Sequence, residues 1–101
     1  MESFPSMKII ATCYKDPLRR AWGLMLRRPK PVLLVGVNSI HTFFMRSPIW
    51  AVFLDENMRA LSVVLMRPWR IHREPRAKNV LEIPLGEKPP KIGEFVEVFC
   101  V

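Results

Sequence analysis

The sequence contains no glutamine, few glycines and no long apolar run among its 101 residues. Its longest apolar stretches, 31–37 and 49–54, are much shorter than the ~20 residues that cross a bilayer, which excludes a membrane-spanning helix. The first 12 residues contain no apolar core of the length that a signal peptide needs. We therefore predict a cytoplasmic protein. The absence of glutamine is typical of thermophile proteins, which avoid thermolabile amides.

Cysteine is also scarce, with Cys13 and Cys100 standing 87 positions apart. One disulfide is arithmetically possible, but the density is far below that of a disulfide scaffold. We expect both residues to be buried apolar side chains in a reducing compartment. Together with His41 and His72 they make a Cys2His2 set by count, yet no two of them have the close spacing of structural zinc ligands. We predict neither a metal nor a cofactor.

The signals for catalysis are weak. The four glycines are scattered, so no glycine-rich loop is present to hold a phosphate. Ser39, His41 and Thr42 are local neighbours, but His41 and Thr42 would point to opposite faces of a strand. Nucleophilic catalysis needs a base that a third group orients, and none is evident. The sequence leaves the question of an enzyme open and favours a protein that only binds.

Positive charge is concentrated in two regions of this chain, whose net charge is +7. No acidic residue occurs between Pro17 and Leu54, and the run 67–78 is basic apart from Glu74. Such asymmetry indicates an anionic partner, or else a solvated basic face. The cations of the two regions that we assign to an anion or nucleic-acid surface are Arg20, Arg27, Arg67 and Arg70.

Apolar and β-branched residues recur in short runs separated by prolines, of which there are ten. This pattern predicts strands at 7–13, 32–37, 40–45, 49–54, 61–66, 80–83 and 95–101. The polar turn 55–57 predicts that two of the runs form a hairpin. Asp16 and Pro17 are a strong helix start, and Pro29 closes that helix.

The expected fold class is therefore mostly β (α+β), as one domain over 1–101. It is a small rolled antiparallel sheet or barrel of about seven short strands, with one helix near the N-terminus.

A second interpretation of the basic surface is nucleic-acid binding. Arg67, Trp69 and Arg70 interleave a stacking ring with guanidinium groups, as single-strand binding platforms do. Phe43, Phe44, Trp50 and Phe53 lie in apolar runs, where we expect them to be core residues.

Several short segments occur in an order that is similar to a known family. They are Ser39-Ile40-His41-Thr42-Phe43-Phe44-Met45-Arg46, Pro48-Ile49, Val52-Phe53-Leu54-Asp55, Gly23-Leu24-Met25 with Arg27, Pro68-Trp69-Arg70, Val80-Leu81-Glu82-Ile83-Pro84 with Gly86, and Ile92-Gly93. In these segments the chain resembles domain-of-unknown-function family 192, a set of small prokaryotic proteins. The resemblance implies a compact, mostly β fold with one helix, and it supplies neither substrate nor cofactor.

The departures from that family concern one candidate site. Trp50 stands where the family usually carries an aspartate, Glu94 replaces a second aspartate, and the usual glycine of the hairpin turn is replaced near Asn57-Met58. If the family pairs Arg46 with an acid at position 50, this chain keeps the cation and has lost the acid. Either the site has changed its ligand preference, or Trp50 fills core volume.

We thus expect a non-enzymatic module that binds a small molecule or an anion. Its expected cleft contains His41, Thr42, Arg46, Trp50 and Trp69. Arg46 would bind a carboxylate or phosphate, and Trp69 would provide a stacking wall. Nucleic-acid binding and an enzyme with an unfamiliar site are the alternatives.

Overall fold

The computed structural model describes residues 6–15, 30–43 and 45–101, and this part of the chain forms eight strands. Their bounds are β1 (Ser6–Tyr14), β2 (Val32–Val35), β3 (Ser39–His41), β4 (Ile49–Leu54), β5 (Ala60–Met66), β6 (Ile71–Arg73), β7 (Asn79–Pro84) and β8 (Phe95–Cys100).

Six of the strands form one sheet in the order β5-β4-β7-β2-β1-β8, and β3 pairs with β6 in a separate two-stranded sheet. The large sheet is mixed, because β1 runs parallel to both of its neighbours, β2 and β8, whereas the other pairs are antiparallel. It curls into a half-barrel. The curl brings the start of β8 back to the start of β5, where Arg59 and Phe95 form an antiparallel bridge.

The central strands β4 and β7 explain the long apolar runs of the sequence. Apart from the half-buried Trp50, every residue of β4 is buried, so both faces of the strand are covered. A strand that is covered on both faces has a continuous apolar sequence, whereas a strand with one exposed face alternates apolar and polar residues.

Buried side chains form one cluster on each face of the large sheet. The first cluster includes Leu34, Ala51, Phe53 and Val80. The second includes Leu33, Val52, Leu81 and Ile83 with the half-buried Trp50. Neighbouring residues such as Val52 and Phe53 belong to different clusters, because successive side chains of a strand point to opposite faces of the sheet.

The predicted hairpin is confirmed, since β4 and β5 pair antiparallel. Asp55 shapes its turn by accepting hydrogen bonds through Oδ1 from the N–H of Asn57 at 2.8 Å and of Arg59 at 3.0 Å. Met58 takes a left-handed conformation with φ of 64°. The resembled family usually has a glycine in this part of the turn, and Met58 lies where that glycine is replaced.

The two-stranded sheet covers the first cluster. Ile40 of β3 is buried in that cluster, and its register partner in β6, His72, places its ring 5.1 Å from the ring of Phe53. The neighbouring register pair, His41 and Ile71, lies on the opposite, outward face because side chains alternate along a strand. This outward face carries the candidate site.

The predicted fold class is wrong. Within the described residues the chain is all strand and contains no helix, and the sheet is mixed rather than antiparallel. The antiparallel expectation came from the short strands and the prolines between them, and neither feature indicates that β1 lies between β2 and β8. Strand β6 was also missed, because only His72 of its three residues faces inward. The residues of the predicted helix, beginning at Asp16 and Pro17, lie outside the described residues.

The expectation for the two cysteines is also wrong. Cys13 and Cys100 form a disulfide, with their Cα atoms 5.5 Å apart. They lie on the paired strands β1 and β8, where Ala11 is the register partner of Cys100. The parallel pairing of the first and last strands, which spacing along the chain does not reveal, brings the two sulfurs together. Cys100 is exposed rather than buried.

Candidate ligand-binding surface

Thr42 joins the segment that follows β3 to the turn that follows β5. Its side chain is fully buried, and its hydroxyl donates a hydrogen bond to the Arg67 carbonyl at 2.6 Å and accepts one from the Arg70 N–H at 2.8 Å. Its backbone carbonyl accepts from the Trp69 N–H at 2.9 Å, and its own N–H donates to the Arg70 carbonyl at 2.8 Å. Four hydrogen bonds from one residue therefore fix the turn 67–70.

This turn holds Trp69 in an unusual position. Trp69 has a φ of 61° and a side chain that is 55% exposed. A left-handed conformation costs a residue other than glycine about 1–2 kcal/mol, and a large exposed ring recovers little of this by burial. Such strain persists only where the surrounding structure imposes it, and it clusters at functional sites. Here the hydrogen bonds of Thr42 impose it.

Among the described residues, the ring of Trp69 belongs to a stack with two other rings. Phe43 lies between its two neighbours, with its ring centroid 4.8 Å from that of His41 and 5.7 Å from that of Trp69. The interplanar angles are 28° and 29°, which keeps the three rings roughly parallel. We call His41, Phe43 and Trp69 the aromatic platform.

His41 is fixed within the platform by a local contact. Its Nδ1 accepts a hydrogen bond of 3.3 Å from the N–H of Phe43. In the neutral ring the proton therefore resides on Nε2, which leaves Nε2 as a donor. Since His41 is only partly buried, this donor adds a polar group to the largely apolar platform.

Exposed arginines flank the platform residues in the sequence. Arg67 and Arg70 bracket Trp69 in the sequence, and Arg70 Nη1 folds back to donate to the carbonyl of Trp69 at 3.3 Å. Arg46 follows the segment of Thr42 and is exposed. Among the described residues, none of these three guanidinium groups forms an ion pair with a carboxylate; the ion pair that is present joins Arg76 to Glu74 at 3.1 Å. The surroundings of the platform are therefore positively charged.

The structure brings some of the candidate residues together and separates others. His41, Thr42 and Trp69 meet at the platform, where the hydroxyl of Thr42 is occupied by backbone groups. Trp50 packs into the second cluster, on the face of the large sheet away from the platform. Because β4 begins at Ile49, Arg46 precedes the strand and does not share a strand face with Trp50. Arg20 and Arg27 lie outside the described residues.

Sequence reasoning missed two notable residues. Phe43 was expected in the core, but it lies at the centre of the platform; its position two residues after His41, on the same side of an extended chain, was the available signal. Glu82 is 1% exposed in the middle of β7, paired in register with Val32 and Ala51. A lone glutamate inside the apolar run 80–83 was the signal for a buried carboxylate. Phe44 lies outside the described residues.

A separate open groove of about 650 Å³ lies at the ends of β2 and β4. It is lined by residues 35–39 and 77–79 together with Glu56. Its wall contains a structural hydrogen bond of 3.1 Å from the N–H of Gly36 to Oδ1 of Asn79. None of the candidate residues lines it.

The platform presents aromatic rings, with guanidinium groups on neighbouring residues. In the described part of the chain, no group of three His, Cys, Asp or Glu side chains is placed to hold a metal ion. No helix in that part is long and apolar enough to cross a membrane. The platform combines stacking rings and guanidinium groups, which suits a ligand that is flat and negatively charged.

Comparison with known proteins identifies relatives but no activity. The chain is 37% identical over 93 residues to a UPF0127 protein of Pyrococcus horikoshii, with 81% of each chain covered. It is 38% identical over 91 residues to a UPF0127 protein of Pyrococcus abyssi, covering 79% of this chain and 78% of the relative. No family model matches the sequence. No solved structure matches it either. These identities and coverages show that the chain belongs to the UPF0127 family of uncharacterised proteins.

Proposed function

We propose that this protein is a non-enzymatic binding module for a small anionic ligand with a flat ring, which it binds on the aromatic platform. The observation that carries the proposal is Trp69, whose half-exposed ring is held in a strained backbone conformation. A turn that served only to connect β5 to β6 would place glycine or asparagine at a left-handed position. Binding of a ligand by the Trp69 ring would explain why tryptophan occupies this left-handed position.

The ring stack gives the ligand a place to lie. Among the described residues the Trp69 ring stacks on Phe43, and 55% of the residue is exposed to solvent. A flat ring added to such a platform gains about 1–3 kcal/mol by stacking. Ile71, 67% exposed and the register partner of His41, extends the apolar surface beside the platform.

The charge of the surroundings selects the sign of the ligand. Arg46 and Arg67 are exposed and carry no carboxylate partner in the described part of the chain. Guanidinium groups bind phosphates and carboxylates in a bidentate manner. A ligand with a ring and an anionic group would therefore use both parts of the surface, whereas a cationic ligand would be repelled.

Titration calorimetry with three probes tests the proposal: adenosine monophosphate, adenosine and inorganic phosphate. We expect the nucleotide to bind at least ten-fold more tightly than either fragment, because it alone uses both the rings and the cations. The variant Trp69→Ala should weaken nucleotide binding by about ten-fold or more, in line with the loss of one stacking contact.

The matched control is Trp69→Phe, which keeps an aromatic ring at the same position and should retain most of the affinity. Circular dichroism confirms that each variant is folded. Equal affinity of the wild type and the folded Trp69→Ala variant for the nucleotide would refute the platform as the site.

The second candidate function is binding of single-stranded nucleic acid, which is favoured by the interleaving of Arg67, Trp69 and Arg70 around an exposed ring. Thymidine oligonucleotides of increasing length distinguish the two functions. A single-strand binder gains affinity with length and loses it steeply as salt rises, because several phosphates release counterions. A small-molecule module shows the affinity of one nucleotide at every length.

Two narrower assignments accompany the proposal. Membership of domain-of-unknown-function family 192 is supported by the order of the matching segments from Gly23 to Gly93. A cytoplasmic location stays a prediction, and the disulfide between Cys13 and Cys100 bears on it. Disulfides persist in oxidising compartments and in the intracellular proteins of hyperthermophiles. Fractionation of the source cells, followed by thiol labelling of the protein, decides the location.

A further inference from the structure

We infer that the free edge of β5, residues 61–66, binds an extended polypeptide segment that carries acidic residues at both ends. The segment would add a strand beside β5 and continue the large sheet, which is a common mode of peptide recognition. This site shares Arg67 with the surroundings of the aromatic platform, but it uses the backbone of β5 rather than the rings.

Strand β5 is an edge of the large sheet. It pairs with β4 on one side, and on its other side the described residues hydrogen-bond only to its beginning. There Ala60 donates its N–H to the carbonyl of Glu94 at 2.9 Å and accepts from the N–H of Gly93 at 2.8 Å. Beyond Ala60, no described residue hydrogen-bonds to the outer side of 61–66. Alternate backbone N–H and C=O groups of this stretch are therefore available to another strand.

Apart from the irregularity at Leu61, residues 61–66 also lack the features by which proteins protect a free edge. The sequence Leu-Ser-Val-Val-Leu-Met contains no charge, no proline and no glycine. Edges are normally protected by lysines, prolines, bulges or a covering element. The register shift in the β4–β5 pairing falls at Leu61, because Phe53 pairs with Ser62 and Leu54 with Ala60; the edge is regular over 62–66. Leu65 is 41% exposed and adds an apolar contact for a partner side chain.

The charges at the two ends of the edge identify the partner. Arg59 precedes the free stretch and Arg67 follows it, and both are exposed. Neither forms an ion pair with a carboxylate of the described residues; the guanidinium of Arg59 lies 4.6 Å from the ring centroid of Phe95. Eight residues of extended chain span roughly 27 Å. Because residues 93 and 94 occupy the outer side at Ala60, a partner segment pairs only along 61–66, and the long side chains of Arg59 and Arg67 would reach acidic residues at its two ends.

The same charges disfavour a second copy of this chain. In an antiparallel pairing of β5 with itself about a two-fold axis, the beginning of one strand lies beside the end of the other. Arg59 of each copy would then approach Arg67 of the other, so like charges would meet at both ends of the pairing. An acid-flanked segment has the opposite, favourable arrangement.

Fluorescence anisotropy with the full chain and a labelled peptide tests the inference. The peptide has a core of three threonine-valine repeats and two glutamates at each end. We expect it to bind at least ten-fold more tightly than the same peptide with lysines in place of the glutamates. Methylation of alternate backbone nitrogens on the pairing side of the peptide should abolish binding, because it removes the hydrogen bonds without altering the protein.

Protein variants locate the site. Arg59→Ala and Arg67→Ala should each weaken binding by about three-fold, as loss of an exposed ion pair does. The matched control Lys30→Ala removes one exposed positive charge just before β2, which two strands separate from β5 in either direction around the half-barrel, and should leave the affinity unchanged. Trp69→Ala should also leave it unchanged, which separates this site from the platform. In amide NMR spectra of the labelled protein, peptide-induced shifts should be largest at 61–66.

Three results would overturn the inference. The first is equal binding of the glutamate and lysine peptides, and the second is undiminished binding of the N-methylated peptide. The third is dimerisation of the free protein through 61–66 in sedimentation experiments, which would make a second copy the occupant of the edge.

Discussion

The hydroxyl of Thr42 accepts a 2.8 Å hydrogen bond from the backbone N–H of Arg70, a residue 28 positions later in the sequence. The same hydroxyl donates to the carbonyl of Arg67 at 2.6 Å. Trp69 lies between these two anchor points, so its ring reaches the stack with Phe43 only while the turn is held. A fully buried residue that contacts no ligand thus determines the geometry of the proposed binding surface.

The first prediction concerns this anchor. Replacing Thr42 with valine keeps the shape of the side chain but leaves the part-buried carbonyl of Arg67 and N–H of Arg70 without their Thr42 hydroxyl partner. Such a loss costs about 1–3 kcal/mol, so we expect the free energy of unfolding to fall by that amount in urea titrations. Nucleotide binding at the platform should weaken as well, since Trp69 is no longer held in place.

The matched control is Thr42→Ser, which removes a methyl group but keeps the hydroxyl. This variant should retain most of the stability and most of the nucleotide affinity. If the valine variant is as stable as the serine variant, the hydrogen bonds of Thr42 do not hold the turn.

A second prediction concerns the closure of the half-barrel at Gly93. Gly93 has a φ of 90°, and a Cβ atom added there would meet nothing within 4 Å. The change Gly93→Ala therefore introduces backbone strain without a steric clash, which should lower the free energy of unfolding by about 1–2 kcal/mol. Because the N–H of Gly93 donates to the carbonyl of Ala60, the strain acts where β8 meets β5.

Gly86 provides the comparison for Gly93. A Cβ atom at Gly86 also meets nothing within 4 Å, but its backbone is not left-handed. Replacing it with alanine should be neutral or slightly stabilising, because alanine reduces the freedom of the unfolded chain. Equal effects of the two alanine substitutions in thermal unfolding would contradict the assignment of strain to Gly93.

The third prediction concerns the disulfide. The bond between Cys13 and Cys100 closes a loop with a sequence separation of 87 residues, which strongly restricts the unfolded chain. Reduction should lower the free energy of unfolding by up to about 4 kcal/mol, as measured by urea denaturation with and without dithiothreitol. The fold should survive, because β1 and β8 keep their six register pairs.

The double variant with serine at both cysteine positions isolates this effect. It should unfold at the denaturant concentration of the reduced wild type and should not respond to dithiothreitol. A response of the double variant to dithiothreitol would show that the reductant acts on some other part of the protein.

The positions of the strands were largely predictable from the sequence, whereas the pairing of one strand with another was not. The central strand β4 was predicted at its observed limits because its apolar run is continuous and the turn at Asp55 ends it. The parallel pairing of β1 with β8 depends on contacts between the two ends of the chain, which no local pattern encodes. The disulfide was missed for the same reason.

The candidate site was predictable in part. Trp69 lies close to Arg67 and Arg70 in the sequence, so the local sequence was enough to identify these three residues as candidates. The central place of Phe43 depends on how the segment after β3 meets the turn after β5. The hydrogen bonds of Thr42 create that junction. From the sequence, the hydroxyl of Thr42 was expected to contact a ligand, whereas in the structure it bonds to backbone groups of the turn.

The last prediction addresses Trp50, which stands where the resembled family usually carries an aspartate. In the structure Trp50 packs against the second cluster, between its register partners Leu65 and Ile83. The change Trp50→Asp removes a large apolar side chain and places a carboxylate in a half-buried position. We expect the free energy of unfolding to fall by about 2–4 kcal/mol, whereas Trp50→Phe should cost less than about 1.5 kcal/mol.

The effect of Trp50→Asp on ligand binding separates the two interpretations of this residue. Because Trp50 and the platform lie on opposite faces of the large sheet, the folded aspartate variant should bind adenosine monophosphate within two-fold of the wild type. Calorimetry with acetate, phosphate and sulfate should likewise give an unchanged order of preference. A changed order would mean that position 50 and Arg46 act on one ligand, and Trp50 would then be a specificity residue rather than a core residue.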